Sequence, residues 1–373
     1  VSALRLLFVL TSAVRGGVEE VVLALATRLD PTDFRLAIAA PAGLLDAFAP
    51  DLRATRVETV AVEADSWLRR REVERLARFV DRWRPHVVNA HLFRSTLVAA
   101  PLARWHRVPA VVETYHGREG WRQGRLRGSF ALDRAVSRLV DRVIAVSEAA
   151  RDFLVRGKGY PERKVVVVPN GRDLATFRPG THRDAVRQEL GLAPSTPVAG
   201  VVGRLEHQKG HVHLLEAWPA VLAAFPDARL LLAGDGGLRA DLEARARALG
   251  GAAGVAFLGF RSDVPRLLDA MDVVVLPSLY EGMPLTAIEA SAMARPVVAT
   301  AVDGTVEVVR DGVTGYLVPP ADPPALAAAV TRLFADPESA ARMGRAGHGW
   351  ARERFDIDRQ VEATARVYRS ALA

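Results

Sequence analysis

Two glutamates eight positions apart, Glu281 and Glu289, bracket the stretch of this chain best suited to chemistry. The apolar run Val273 to Leu276 ends in Pro277-Ser278 and reads as a buried parallel strand. Pro284 then stands where a helix would begin, in the first-turn position that needs no N–H. The N–H groups of Leu285, Thr286 and Ala287, with the positive end of the helix dipole behind them, form a ready anion site. Glu289 lies about 6 Å further along the axis at roughly 1.5 Å per residue, the step from a nucleotide's phosphates to its ribose hydroxyls. Glu281 sits on the other side of that anion. Leu285, Ile288 and Ala292 share the face that would pack on a sheet, while Thr286, Glu289 and Met293 share another, so Glu289 is expected to point away from the core. Taken alone, the pair reads equally as two solvated glutamates on an ordinary strand-to-helix turn.

Other residues share this placement just beyond a strand. Gly203-Arg204-Leu205 leads to Lys209-Gly210 ahead of a helix, where cations can reach a ligand over the sheet edge or be solvated at a surface turn. The chain has 47 Arg and only three Lys, so a lysine here suggests that a compact point charge is wanted. Gly16-Gly17 follows the first apolar run, and its backbone can approach a ligand without a Cβ in the way; a simple tight turn is the alternative. It is not the dinucleotide fingerprint. His116, in Thr114-Tyr115-His116-Gly117, is either a structural hydrogen-bonder or a group that meets substrate. Asn89 and His91 end the preceding strand and are placed to line an acceptor site. His207, His211 and His213 read as a solvated helix start rather than a metal site, and Asp235 as a helix cap.

The elements that must position these residues alternate along the whole chain, as parallel sheets covered by helices on both faces do. Strands are expected at residues 5–10, 35–40, 57–62, 86–90, 110–114, 142–146 and 164–168. A turn at Pro169-Asn170-Gly171 and a loose stretch, residues 172–183, follow and read as an interdomain linker. A second alternation places strands at 198–202, 229–233, 255–258, 273–276 and 296–299. The expected domains are 1–172 and 173–356, with a last helical stretch over 357–372.

Composition bounds the chemistry. At 373 residues the chain can bury two cores. With no Cys, disulfides, thiolate nucleophiles and cysteine zinc sites are excluded. No apolar run reaches the roughly 18 residues of a membrane span, and the first residues, VSALRLLFVL, read as a strand rather than a leader; a cytoplasmic protein, peripheral on the inner face of a membrane, is expected. Residues 1–172 carry 29 Lys and Arg against 19 Asp and Glu, an excess of ten, whereas the remainder has a net charge of −3. The first half therefore calls for an acidic partner, an anionic membrane surface or a phosphorylated acceptor. Nucleic acid is not expected, since no recognised nucleic-acid-binding pattern is present. Residues 118–128, rich in Arg and Gly around Trp121, Arg122, Arg125, Leu126 and Arg127, read as a basic loop suited to an anionic surface. The arginine-rich segment over 67–84 reads instead as a helix with a core stripe through Leu76, Phe79, Val80 and Trp83.

Pro277-Ser278, Glu281-Gly282-x-Pro284, Glu289-Ala290 and Pro296-Val297-Val298-Ala299 together resemble the E-x7-E signature of retaining glycosyltransferases of family 4. Gly203-Arg204-Leu205-x-x-x-Lys209-Gly210 resembles the same family's phosphate element. The resemblance implies the GT-B fold, α/β with two facing doubly wound Rossmann-like domains, and a C-terminal helix, 357–373, that joins the first. It implies a metal-independent hexosyl transfer, without cofactor, from a UDP- or GDP-linked sugar to a cell-envelope glycan, a lipid or a small molecule. It places Glu289 on the ribose; Gly17, Arg204, Lys209, Gly282, Met283, Leu285 and Thr286 on the donor diphosphate; His116 and Glu281 on the sugar; and Gly259 and Phe260 at the nucleobase. Asp303-Gly304 departs from the family's Gly-Gly, in a loop that borders the sugar in relatives. The rival readings are a GT-B-fold nucleotide-sugar epimerase and a non-catalytic nucleotide-sugar-binding adaptor at a membrane surface.

Overall fold

The computed structural model describes residues 3–63, 70–118, 130–250 and 254–373. The chain divides into two compact units, Val1–Asn170 with Ile357–Ala373, and Gly171–Asp356. Trp67, Leu68, Trp121, Arg122, Arg125, Leu126 and Arg127 lie outside the described residues. Among the described residues no helix is long and apolar enough to cross a membrane.

In the first unit seven strands form one parallel sheet: β1 (Leu4–Val9), β2 (Phe34–Ala40), β3 (Glu58–Ala61), β4 (Val87–His91), β5 (Ala110–Tyr115), β6 (Arg142–Ala145) and β7 (Val165–Val167). Their order is β3-β2-β1-β4-β5-β6-β7. The central strands are almost entirely buried because helices cover both faces, and a strand with two buried faces must be apolar along its length. The chain leaves β1 toward β3 and then crosses back to β4. The loops after β1 and β4 therefore diverge at the switch point, where open α/β sheets leave a crevice. The helix Ile357–Leu372 closes this unit, with Val367 and Tyr368 buried on one stripe. Each fully buried side chain of that size contributes about 1.5–3 kcal/mol.

The second unit holds six parallel strands: β8 (Val198–Val202), β9 (Arg229–Ala233), β10 (Val255–Gly259), β11 (Val273–Leu276), β12 (Val297–Thr300) and β13 (Gly315–Val318). Their order is β10-β9-β8-β11-β12-β13, which puts the switch point between β8 and β11. The Gly203–Gly210 and Pro277–Pro284 loops leave those two adjacent strands at the same edge.

Two elements differ from the sequence expectation. Strand β13 was not anticipated: it is only four residues long, follows a turn, and is defined by pairing with β12. A helix that was not anticipated, Arg183–Glu189, begins at the last residue of the expected linker. It is anchored by Arg187, whose guanidinium donates to Ala270 O at 3.2 Å. Arg172 falls in the second unit, where its N–H donates to Phe355 O at 2.8 Å.

Candidate active site

At the β8/β11 switch point the site is built from two loops and one helix end. Gly210 has φ +62°, and a Cβ there would stand 2.0 Å from Pro277 O, so only glycine lets the β8 loop lie against the β11 loop. Gln208 reinforces the approach, its amide donating to Tyr280 O at 3.0 Å. Lys209 is thereby carried to Glu281, Nζ to Oε1 at 2.6 Å, and Ser278 Oγ donates to the same oxygen at 2.7 Å. Glu281 is 6 % exposed, and these two donors satisfy the buried carboxylate. Arg204 is exposed and makes no ion pair among the described residues.

The helix over Leu285–Ala292 begins one residue later than expected. Pro284, with ψ 113°, is its N-cap rather than its first helical residue. Ala287 N–H is already engaged by Pro284 O at 3.2 Å, so among the described residues Leu285 and Thr286 are the free donors at the helix end. Thr286 Oγ1 donates to Val202 O at 3.2 Å, tying the helix to β8, while Met283 is buried beside it and Gly282 also belongs to the buried loop.

Glu289 does not point away from the core. It is 6 % exposed and its Oε1 lies 2.6 Å from Arg172 Nη2. The helix is buried nearly all round, so the two-face pattern read from its spacing does not separate core from solvent here. Arg172 and Ser278 are two partners that sequence reasoning missed. The one signal for Arg172 was a cation directly after the Asn170-Gly171 turn.

Asp303 is a third. Its Oδ2 accepts the Glu281 N–H at 3.1 Å from a backbone with φ +39°, a region L-residues seldom occupy. The departure from Gly-Gly therefore places a carboxylate against the loop that carries Glu281. Gly259 has φ +68° and its carbonyl accepts from Gly234 N at 2.7 Å, fixing the turn that presents Phe260, which is 74 % exposed. Asp235 does not cap the following helix; its carboxylate accepts from Gly236 N, and Leu238 is the N-cap. His211 is 2 % exposed rather than solvated, with neither ring nitrogen hydrogen-bonded among the described residues, and burial lowers its pKa to about 4.

In the first unit Gly17 opens the helix Gly17–Arg28 after β1 and is exposed. His116 follows β5. Lys158 is buried 2.8 Å from Asp133 and 4.8 Å from the centre of the ring of Tyr115, the residue before His116, a cation held by a carboxylate and an aromatic face. Asn89 and His91 do not stand free to line a site: both are fully buried. His91 Nδ1 lies 2.9 Å from His116 Nε2, and the Asn89 amide lies 3.1 Å from His91 Nε2 and 2.8 Å from Tyr368 OH. Burial lowers the His116 pKa to about 3, although part of the residue reaches the surface, and burial together with neighbouring His116 holds His91 well below its ordinary value.

Two family models match the chain, glycosyltransferase family 4 over residues 15–176 and glycosyl transferases group 1 over residues 182–350. Glycogen synthase of Mycobacterium tuberculosis is 33 % identical over 299 residues, 78 % of this chain and 70 % of that protein. The chain belongs to glycosyltransferase family 4. This family 4 glycosyltransferase is also 35 % identical over 314 residues to the alpha-maltose-1-phosphate synthase of M. tuberculosis, 77 % of this chain and 79 % of that one. Among solved structures, HepE of Anabaena, in complex with UDP and glucose, superposes with a TM-score of 0.87 at 23 % identity, covering 98 % of this chain and all of that one. The fold is accordingly GT-B, and the protein is a glycosyltransferase enzyme.

Proposed function

We propose that this enzyme transfers a hexosyl group from a UDP- or GDP-linked sugar to a glycan, lipid or small-molecule acceptor, with retention of anomeric configuration and without a metal ion. The observation that carries the reading is the convergence, at one sheet edge, of Lys209, Glu281 and the free Leu285 and Thr286 N–H groups, with Glu289 one helical turn further on. A leaving diphosphate gathers negative charge as the glycosidic bond breaks, and preorganised donors aimed at it lower the barrier most. Lys209, the exposed Arg204 and the amides of Gly282, Met283, Leu285 and Thr286 are assigned that task, the positive charge that a divalent ion supplies elsewhere. Glu289 is assigned the ribose hydroxyls and Glu281 the sugar, while Gly259 and Phe260 are assigned the base. His116 and Gly17 are assigned, on the family resemblance, to the sugar and the phosphates. The UDP and UDP-glucose bound in the HepE structures support a nucleotide-sugar donor.

The basic balance of residues 1–172 supports an acceptor at an anionic, cytoplasmic membrane surface. Thermal shift with UDP, GDP, ADP and their sugar conjugates tests the donor assignment. Stabilisation by one nucleotide series, abolished in Glu289→Gln, is expected; no shift with any of them would overturn it.

A further inference from the structure

The hydrogen bonds behind His116 have a direction. Thr114 Oγ1 donates to Asn89 Oδ1 at 3.1 Å, and the Asn89 NH2 faces Tyr368 OH at 2.8 Å and His91 Nε2 at 3.1 Å. An amide NH2 only donates, so His91 Nε2 is the accepting nitrogen. A neutral imidazole with an accepting Nε2 carries its proton on Nδ1. That N–H points at His116 Nε2, 2.9 Å away, which must accept in turn. The single proton of a neutral His116 is then left on its Nδ1, a nitrogen with no partner among the described residues.

The backbone holds the relay in register. Leu92, directly after His91, sits at φ 71°, ψ 152°, nearly reserved for glycine, and its N–H donates to Thr114 O at 3.0 Å. Such a conformation is strained and persists only where its surroundings impose it. The Phe8 ring, edge-on to His91 at 5.7 Å, leaves the imidazole little freedom to rotate.

We propose that Asn89, His91 and Tyr368 form a relay that fixes His116 as the Nδ1–H tautomer, making it a hydrogen-bond donor to substrate, and that Tyr368 is a positioning residue for it. His116 Nε2 has its lone pair engaged by His91, so His116 is no general base. The group it meets is an acceptor, a sugar hydroxyl or phosphate oxygen. Only this last identification rests on the proposed glycosyl transfer; the tautomer does not.

Long-range 15N–1H correlation spectra of the full chain without ligand decide the point. His116 should show a protonated Nδ1 and an unprotonated Nε2 near pH 7. Asn89→Leu removes the orienting donor and should give a mixture of tautomers. Tyr368→Phe, which keeps the packing and the Asn89–His91 bond, should give a smaller admixture. Where a donor and acceptor pair reacts, kcat should fall in Asn89→Leu in proportion to the share of His116 that has left the Nδ1–H form, roughly 2- to 10-fold for a mixture, and less in Tyr368→Phe, with nucleoside diphosphate affinity unchanged in both. A protonated Nε2 at His116 in the wild type would overturn the relay. So would a pure Nδ1–H form persisting in Asn89→Leu; should that variant not fold, the wild-type spectrum and Tyr368→Phe decide. If no donor reacts with any acceptor, the proposed function fails while the tautomer result still stands.

Discussion

Lys209 Nζ lies 2.6 Å from Glu281 Oε1, and both side chains are mostly buried. The lysine assigned to the diphosphate is therefore already the counter-ion of the carboxylate assigned to the sugar. Under the proposed function such a shared cation has two jobs: to meet the leaving group and to pair with a buried carboxylate. Arg204, exposed and without an ion pair among the described residues, does at most the first.

Lys209→Ala should accordingly cost more than Arg204→Ala. Each loses a charge-assisted contact to the diphosphate of about 1.5–3 kcal/mol, roughly 10- to 100-fold in affinity. Only Lys209→Ala also removes the counter-ion of the buried Glu281, leaving it Ser278 alone of the two donors to Oε1, so it alone should lower thermal stability. Calorimetric titration with nucleoside diphosphate and a melting curve check both halves; equal melting temperatures for the two variants would contradict the shared-cation reading.

Glu289→Gln should weaken binding of the whole nucleotide more than binding of pyrophosphate, since only the nucleotide carries a ribose. Arg172→Ala should act in the same direction by removing the 2.6 Å partner that holds Glu289, and Arg172→Lys should restore part of the loss. If pyrophosphate and nucleotide weaken alike, Glu289 supports the fold rather than the ribose.

His91, His116 and His211 give the fold a dependence on acid. All three have folded pKa values below the ordinary 6.5, His116 to about 3 and His211 to about 4, chiefly through burial. Between those values and 6.5 the unfolded chain binds protons that the folded chain does not. Stability is then fully present above about pH 6.5 and is lost as pH falls, at up to about 1.4 kcal/mol per pH unit for each histidine. His211→Leu removes two unpartnered buried nitrogens and one of these proton sites. It should hold or raise the melting temperature at pH 7 and flatten its decline toward pH 5. A variant much less stable than wild type at pH 7 would show that His211 has a partner after all.

Vesicle sedimentation checks the anionic surface assigned to the first unit. Binding should rise with anionic lipid content, fall with added salt and weaken when Arg122, Arg125 and Arg127 are changed to Gln. Wild-type protein that stays in the supernatant would assign the charge to a soluble acidic acceptor.

Twelve strands and the site's two loops were legible in the sequence because a strand buried on both faces writes itself as an apolar run, and because Gly, Pro and Glu at fixed offsets mark a strand-to-helix turn. The orientation of Glu289 was not. Its helix is covered nearly all round, and periodicity tells core from solvent only on a helix with a wet face. Partners far apart in sequence were equally hidden: nothing local ties Asn89 to Tyr368 or Arg172 to Glu289. His211 was misread because a His-x-His at a helix start looks solvated, whereas this position of the helix His211–Ala224 is buried. Asp303 stood out as a departure from the family pattern, but its bond to the Glu281 N–H is a property of the folded loop.

The most direct test is a transfer assay with purified protein, a panel of nucleotide sugars and a panel of acceptors in the presence of a chelator, with the anomeric configuration of the product read by NMR. Nucleoside diphosphate should appear only when donor and acceptor are both present, at a rate the chelator leaves unchanged, and the new bond should keep the donor's α or β configuration. Isomerised sugar without an acceptor, an inverted product, or activity that the chelator abolishes would contradict the account.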